Sequence, residues 1–429
     1  MRYLIKNGMV IDPRNNVEGQ LDILISDGKI EKVGKCLNGG VKEVIDAKGY
    51  IVAPGFIDMH THLREPGRED EETVKTGARA AVKGGYTSVL AMPNTEPAVD
   101  SVEIVKKLKE TVKKDSLANI LIAGAITKGR AGKELVDFSG LKREGVTVFS
   151  DDGLSVEDGA LLEEALKRAR GEGALIIEHC EDLKLSAGGV VNKGFISTKM
   201  GLKGISKESE YERVRRDIEI AKSASYKIHI AHVSCKESAD LIRKAKRAGV
   251  QVSAETCPHY FSLTEDCCVT YDTNTKMNPP LRAKEDVEAV REALRDGTID
   301  AIATDHAPHT DAEKDVEFDF APFGIIGLET ALGLSVTGLV DKKILSWKEL
   351  ILKMSTNPAG ILGLNKGSLK EGAIADIVII DPDKEFIYKK DSIESKSKNS
   401  PFIGWKMNGV ASFVFVSGKL IVKNGVIMG

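Results

Sequence analysis

From about residue 55 onward, short apolar runs rich in β-branched residues alternate with charged, amphipathic segments of helical period. The candidate strands are "GFIDMH" (55–60), "TSVLAM" (87–92), "NILIAGAI" (119–126), "VTVFS" (146–150), "ALIIEH" (174–179), "KIHIAH" (227–232), "QVSAET" (251–256) and "DAIATD" (300–305). Between them lie segments such as 158–173, 206–225, 235–249 and 283–297, each with an apolar stripe, three of them ending at glycine. Near-continuous apolar strands joined by helices imply a parallel sheet covered on its faces. Eight such units over roughly 300 residues match the count and size of a (β/α)8 TIM barrel. A doubly wound open sheet is the alternative arrangement of the same units.

The two ends read differently. Residues 1–52 and 365–429 alternate as short strands with turn signals, flanking a barrel segment at 53–364. "LIKNGMVI" near the start and "LIVKNGVI" near the end echo one another, and each predicts a hairpin with an Asn-Gly turn. Neither end alone has much apolar surface to bury, so the expectation is one small β-sandwich domain built from both termini.

The composition narrows the function classes. A net charge of −3 implies no polyanion-binding surface and so no nucleic-acid partner. No uncharged apolar run reaches the ~18 residues of a membrane span, and the first residues lack a signal-peptide pattern. Cys36, Cys180, Cys235, Cys257, Cys267 and Cys268 form no C-x-x-C pair. In a chain this long they read as reduced thiols, and the expected location is the cytoplasm.

The eight histidines fall almost entirely at or just after the C-terminal ends of predicted barrel strands, the rim where such barrels place their active sites. His60 and His62 sit one residue apart, so in a strand they face the same side and together suit a divalent cation. His179 and His232 end the fifth and sixth strands. His229 has the opposite parity to His232 and is expected to point away from the barrel interior, with no metal role. His259 reads as structural. Asp305 ends the eighth strand, where a carboxylate touches a metal and accepts a proton from water. "FSDDG" (149–153) offers Asp151 and Asp152 after the fourth strand, and spacing alone does not separate them. Leu63, beside His62, is expected to point into the barrel wall and only pack.

A His-x-His pair, two later histidines and a terminal aspartate, at strand ends one, five, six and eight, resemble the amidohydrolase superfamily over the whole chain. "HLREPG" (62–67), "MPNTEP" (92–97), "NPPLR" (278–282) and "TDHAPH" (304–309) are similar to the dihydroorotases whose bridging group is an aspartate. The resemblance implies His60, His62, Asp152, His179, His232 and Asp305 as ligands of one or two zinc ions, with cobalt or manganese suiting the same donors. It implies Asp305 as catalytic acid and base. It implies Arg64, Asn94 and His309 around a substrate carboxylate, with His62 nearby, and Asn278, Phe323 and Gly324 around its ring. A guanidinium binds a carboxylate bidentately, which gives Arg64 its reason to follow the histidines.

The implied reaction is reversible hydrolysis of dihydroorotate to N-carbamoyl-aspartate. Cyclic amidases acting on hydantoins, dihydropyrimidines or allantoin are the nearest alternative, and a non-catalytic scaffold is the other. The family also implies aspartate carbamoyltransferase as a partner, and a homodimer. Two long segments, 258–282 and 309–324, are expected to flank the site as closing loops.

Overall fold

The computed structural model describes residues 2–428. Eight parallel strands form the barrel. Phe56–Thr61, Tyr86–Ala91 and Asn119–Ile122 pair in order, as do Val148–Phe149, Leu175–Glu178, Ile228–Ile230, Val252–Thr256 and Ala301–Ile302. Single parallel bridges, Gly124 to Phe149 and Thr61 to His306, close the two remaining gaps. The sheet is therefore continuous around the barrel, and the open doubly wound alternative does not apply.

The helices that cover it begin and end where local chemistry dictates. Val74–Lys83 starts at Thr73, whose hydroxyl accepts from the Thr76 amide in a capping box. Gly159–Glu172 starts at Asp158, whose carboxylate accepts from the amides of Ala160 and Leu161, and stops at Gly173 with φ 64°. Leu63 is buried and packs on the first of these helices. A Cβ at Gly77 would lie 2.4 Å from its Cδ2, so only glycine lets the two surfaces meet.

Both chain ends contribute to one nine-stranded sheet. Its centre is the antiparallel pairing of Ile51–Pro54 with Ile377–Ile387. Period-two alternation splits its residues between two cores. Val378, Ile380, Val414 and Val422 join the core beneath the barrel helices. Ile377, Ile379, Phe413 and Phe415 face the other way, with Tyr3, Ile23 and Val52. The rings of Tyr3 and Phe415 meet edge to face at 5.3 Å although their strands are not neighbours, so the sheet folds over itself as a sandwich.

The two Asn-Gly sites have different fates. Asn424 and Gly425 form the expected turn between Lys419–Lys423 and Val426–Ile427, both with positive φ. Asn7 and Gly8 do not turn the chain. They lie inside the single strand Arg2–Asp12 as a bulge, where the pairing with Val17–Ser26 shifts register between Ile5 and Gly8. Gly8 is required there because a Cβ would come within 2.4 Å of the buried Val52 side chain. The actual N-terminal hairpin turn is Asp27-Gly28, between Val17–Ser26 and Lys29–Gly34. No helix among the described residues is long and apolar enough to cross a membrane.

Candidate active site

The strand ends bring six side chains together at one mouth of the barrel. His60 Nε2 lies 3.1 Å from Asp152 Oδ1 and 3.6 Å from Asp305 Oδ1. His62 Nε2 lies 3.0 Å from Asp305 Oδ1 and 3.5 Å from Asp152 Oδ2. His179 Nδ1 and His232 Nε2 are 2.8 Å apart, each 3.8 Å from Asp152 Oδ1. The adjacent aspartates separate clearly. Asp151 turns away and accepts from the amides of Ile126 and Thr127, while Asp152 faces the imidazoles.

The outer nitrogens of three of these rings are already engaged. His60 Nδ1 donates to Glu255 Oε1 at 3.0 Å, His62 Nδ1 donates to Asn94 Oδ1 at 2.8 Å, and His179 Nε2 donates to Glu181 Oε2 at 3.1 Å. When neutral, the His60 and His62 rings then present a bare lone pair to carboxylate oxygens, which are acceptors too, and the His179 ring presents one to His232 Nε2. Lone pairs facing lone pairs need a positive charge between them. Consistent with this, buried His60 Nε2 and Asp152 Oδ1 make no hydrogen bond despite their proximity. Burial opposes charge on His60, yet Asp152 and Asp305 outweigh it and raise that ring well above its ordinary value. The cluster demands either a proton or a cation, and its nitrogen and carboxylate donors suit a divalent cation.

Glu255 was not singled out from the sequence. It sits in the apolar strand Val252–Thr256, fully buried, and Oε2 is 3.2 Å from His229 Nε2. Burial would raise its carboxyl, but the adjacent His229 and His60 rings hold it at about 2. An ionisable residue within an apolar strand was the available signal. The expectation for His229 is corrected: it points inward, to Glu255, whereas its neighbours Ile228 and Ile230 pack under the helices. Strand parity does not extend to His232, because the strand ends at Ile230 and His232 takes φ 34°, which turns its side chain inward out of register. Arg64 and Asp305 also have left-handed backbones, with φ 60° and 47°. Such strain clusters where a side chain must be aimed.

Above the imidazoles opens a cavity of about 360 Å³. Its walls include Arg64, Asn94, Asn278, His309, Phe323 and Gly324, together with His62, Asp152, His179, His232 and Asp305. His60 lies beneath, fully buried. Glu71, also missed, is buried and links two of these residues, at 3.0 Å from Arg64 Nε and 2.9 Å from His309 Nδ1. Glu181 joins His179 to Asn278, whose Nδ2 donates to the same oxygen at 2.9 Å. His259 does not line the cavity.

The segments expected as loops are partly helical: 258–282 contains Pro258–Ser262 and Glu265–Thr270, and 309–324 contains Asp311–Lys314. Two lysines tie the second segment down, Lys276 donating to the carbonyls of Phe318 and Asp319, and Lys314 to that of Pro322.

Comparison with known proteins fits this arrangement. Residues 51–421 match the model of the amidohydrolase family. A dihydroorotase of Elusimicrobium minutum is 54% identical over 425 residues, covering 99% of this chain and 98% of that protein. A dihydroorotase of Pelotomaculum thermopropionicum is 48% identical, with both chains covered completely. Among solved structures, the L-hydantoinase of Arthrobacter aurescens superposes with a TM-score of 0.90 at 24% identity, over 100% of this chain and 97% of that one. A D-hydantoinase from Thermus sp. superposes with a TM-score of 0.86 at 26% identity, over 100% and 96%. The chain belongs to the amidohydrolase family, and within it to the dihydroorotases.

Proposed function

We propose that the chain hydrolyses the cyclic amide of dihydroorotate reversibly to N-carbamoyl-aspartate, and in the reverse direction closes the ring for pyrimidine synthesis. The chain is a metal-dependent cyclic amidohydrolase. One observation carries the choice of substrate: Arg64 opens into the same cavity as the imidazole–carboxylate cluster. A small ring bearing one carboxylate has use for both.

Zinc, one or two ions per chain, is the proposed cofactor, held by His60, His62, Asp152, His179, His232 and Asp305. Two convergent groups support this, His60 with His62 and Asp305, and His60 with Asp152 and His232. When bound, a divalent cation acidifies water and polarises a carbonyl. The remaining work belongs to the protein. Arg64, Asn94 and His309 hold the substrate carboxylate, which fixes the ring in place. Asn278, Phe323 and Gly324 contact the ring, with His62 at its edge. Asp305 accepts the proton of the attacking water and delivers it to the ring nitrogen as the amide bond breaks. Glu255, Asn94 and Glu181 keep the ring tautomers that leave the inward nitrogens free to bind a cation.

The similarity to the Thermus D-hydantoinase makes hydantoins and dihydropyrimidines the competing substrates. Those rings lack the carboxylate that Arg64 would meet. The discriminating experiment compares turnover of dihydroorotate, dihydrouracil, hydantoin and allantoin by the zinc-loaded protein. The expected result is turnover of dihydroorotate alone, and preference for a ring without a carboxylate would overturn the reading. A purely structural role is disfavoured because every residue of the cluster is present. As partners we propose a second copy of the chain and the aspartate carbamoyltransferase that supplies N-carbamoyl-aspartate, both tested by co-elution. The six unpaired cysteines favour the cytoplasm as the site of action.

A further inference from the structure

Beyond the six-residue cluster, a second convergence of donor atoms lies on the other side of Asp305. Cys257 follows the seventh strand and opens the short helix Pro258–Ser262, which carries His259. Asp305 follows the neighbouring eighth strand, Ala301–Ile302. One ligand atom from each of Cys257, His259 and Asp305 lies within 4.8 Å of the other two. His259 is 2% exposed, and its Nε2 has no hydrogen-bond partner. A buried polar atom left unpaired costs about 1–3 kcal/mol, a cost that a bound ion would offset. We propose that Cys257, His259 and Asp305 form a further cation site, selective for soft ions because sulfur is among its donors.

A rival group is Glu71 with His309 and Glu313. That group is already neutralised. Arg64 lies 3.0 Å from Glu71, and Arg68 lies 2.6 Å from Glu313, so two guanidinium groups stand where an ion would. His259 Nε2 has no such partner among the described residues.

An ion reaches the site past Asp305, which lines the open cavity. On binding, the sulfur–metal bond replaces the Cys257 S–H bond and the proton leaves to solvent. The His259 ring donates its lone pair and Asp305 one carboxylate oxygen. Asp305 is then shared with the catalytic cluster. If it moves the proton in hydrolysis, as proposed above, occupation of this site inhibits turnover. That consequence rests on the functional reading, whereas binding itself does not.

The test uses zinc-loaded protein carrying Cys36→Ser and Cys267→Ser, which remove the exposed and partly exposed thiols. Cadmium is titrated in, and the ultraviolet charge-transfer band of cadmium–thiolate is followed beside turnover of dihydroorotate. The expected result is a band that saturates at one cadmium per chain, with turnover falling in parallel. Adding Cys257→Ser should abolish the band and leave turnover resistant to cadmium. Adding His259→Gln should weaken binding roughly tenfold or more. No band in the starting protein, or an undiminished band after Cys257→Ser, overturns the site. Inhibition that survives Cys257→Ser overturns its link to turnover. If the zinc-loaded protein never turns over dihydroorotate, the functional reading fails, and the band still decides the site.

Discussion

Glu71 Oε2 lies 3.0 Å from Arg64 Nε, and the other oxygen of the same buried carboxylate lies 2.9 Å from His309 Nδ1. One carboxylate thus fixes two of the three groups assigned to the substrate carboxylate, before any substrate arrives. Preorganisation of this kind lowers the cost of binding.

Arg64→Ala should raise KM for dihydroorotate far more than it lowers kcat, because the contact proposed for it is made in both ground and transition states. A hydrogen bond to a charged group is worth about 1.5–3 kcal/mol, so the loss in kcat/KM should be about 10- to 100-fold. Glu71→Gln should move KM in the same direction by less, with bound metal unchanged. Steady-state kinetics with metal analysis separates the two effects, and a fall in kcat alone would remove Glu71 from this role.

Glu255 should act on the metal and not on the substrate. It holds His60 Nδ1 at 3.0 Å from one oxygen and His229 Nε2 at 3.2 Å from the other. Glu255→Gln should weaken zinc binding by about 10- to 100-fold, as removal of such supporting carboxylates does. Competition with a chelator of known affinity measures this, and unchanged affinity would contradict it.

Gly8→Ala tests the bulge. The new methyl would meet the buried Val52 at 2.4 Å, so overpacking should cost about 1–3 kcal/mol. Urea unfolding should show the lower midpoint. A variant as stable as the parent would mean that the two strands separate without penalty.

Lys353 gives a pH signature. Burial lowers its ammonium from 10.5 to about 8, and its Nζ donates to the carbonyl of Ile299. Between these values the unfolded chain binds more protons than the folded one, so stability contributed by this group rises with pH from about 8 to 10.5. Lys353→Met should flatten that rise by up to about 1.4 kcal/mol per pH unit, read from denaturation at several pH values. An unchanged slope would contradict the assignment.

The barrel was legible because apolar strands and striped helices alternate with unmistakable period. The convergence of the candidate residues was legible because His60, His62, His179, His232 and Asp305 sit at strand ends, where parallel barrels gather their functional side chains. What escaped were effects that one-dimensional periodicity does not encode. His229 was misdirected because alternation stops where the strand stops, and His232 breaks it with a left-handed backbone. Asn7-Gly8 was misread because the same dipeptide serves a bulge as well as a turn. The spacing of Asp151 and Asp152 is equal for every purpose until the amides of Ile126 and Thr127 claim the first of them. Glu71, Glu181 and Glu255 support the cavity from segments remote in the chain, and only the closed barrel brings them to it.

On the proposed function, the imidazoles and carboxylates converging on Asp152 and Asp305 hold a cation without which the ring amide is not cleaved. Metal analysis of the purified protein, with turnover of dihydroorotate measured before and after exhaustive chelation, tests it most directly. One or two zinc ions per chain, activity lost with them and restored by zinc, is the predicted result. Undiminished turnover by the metal-free protein would contradict it.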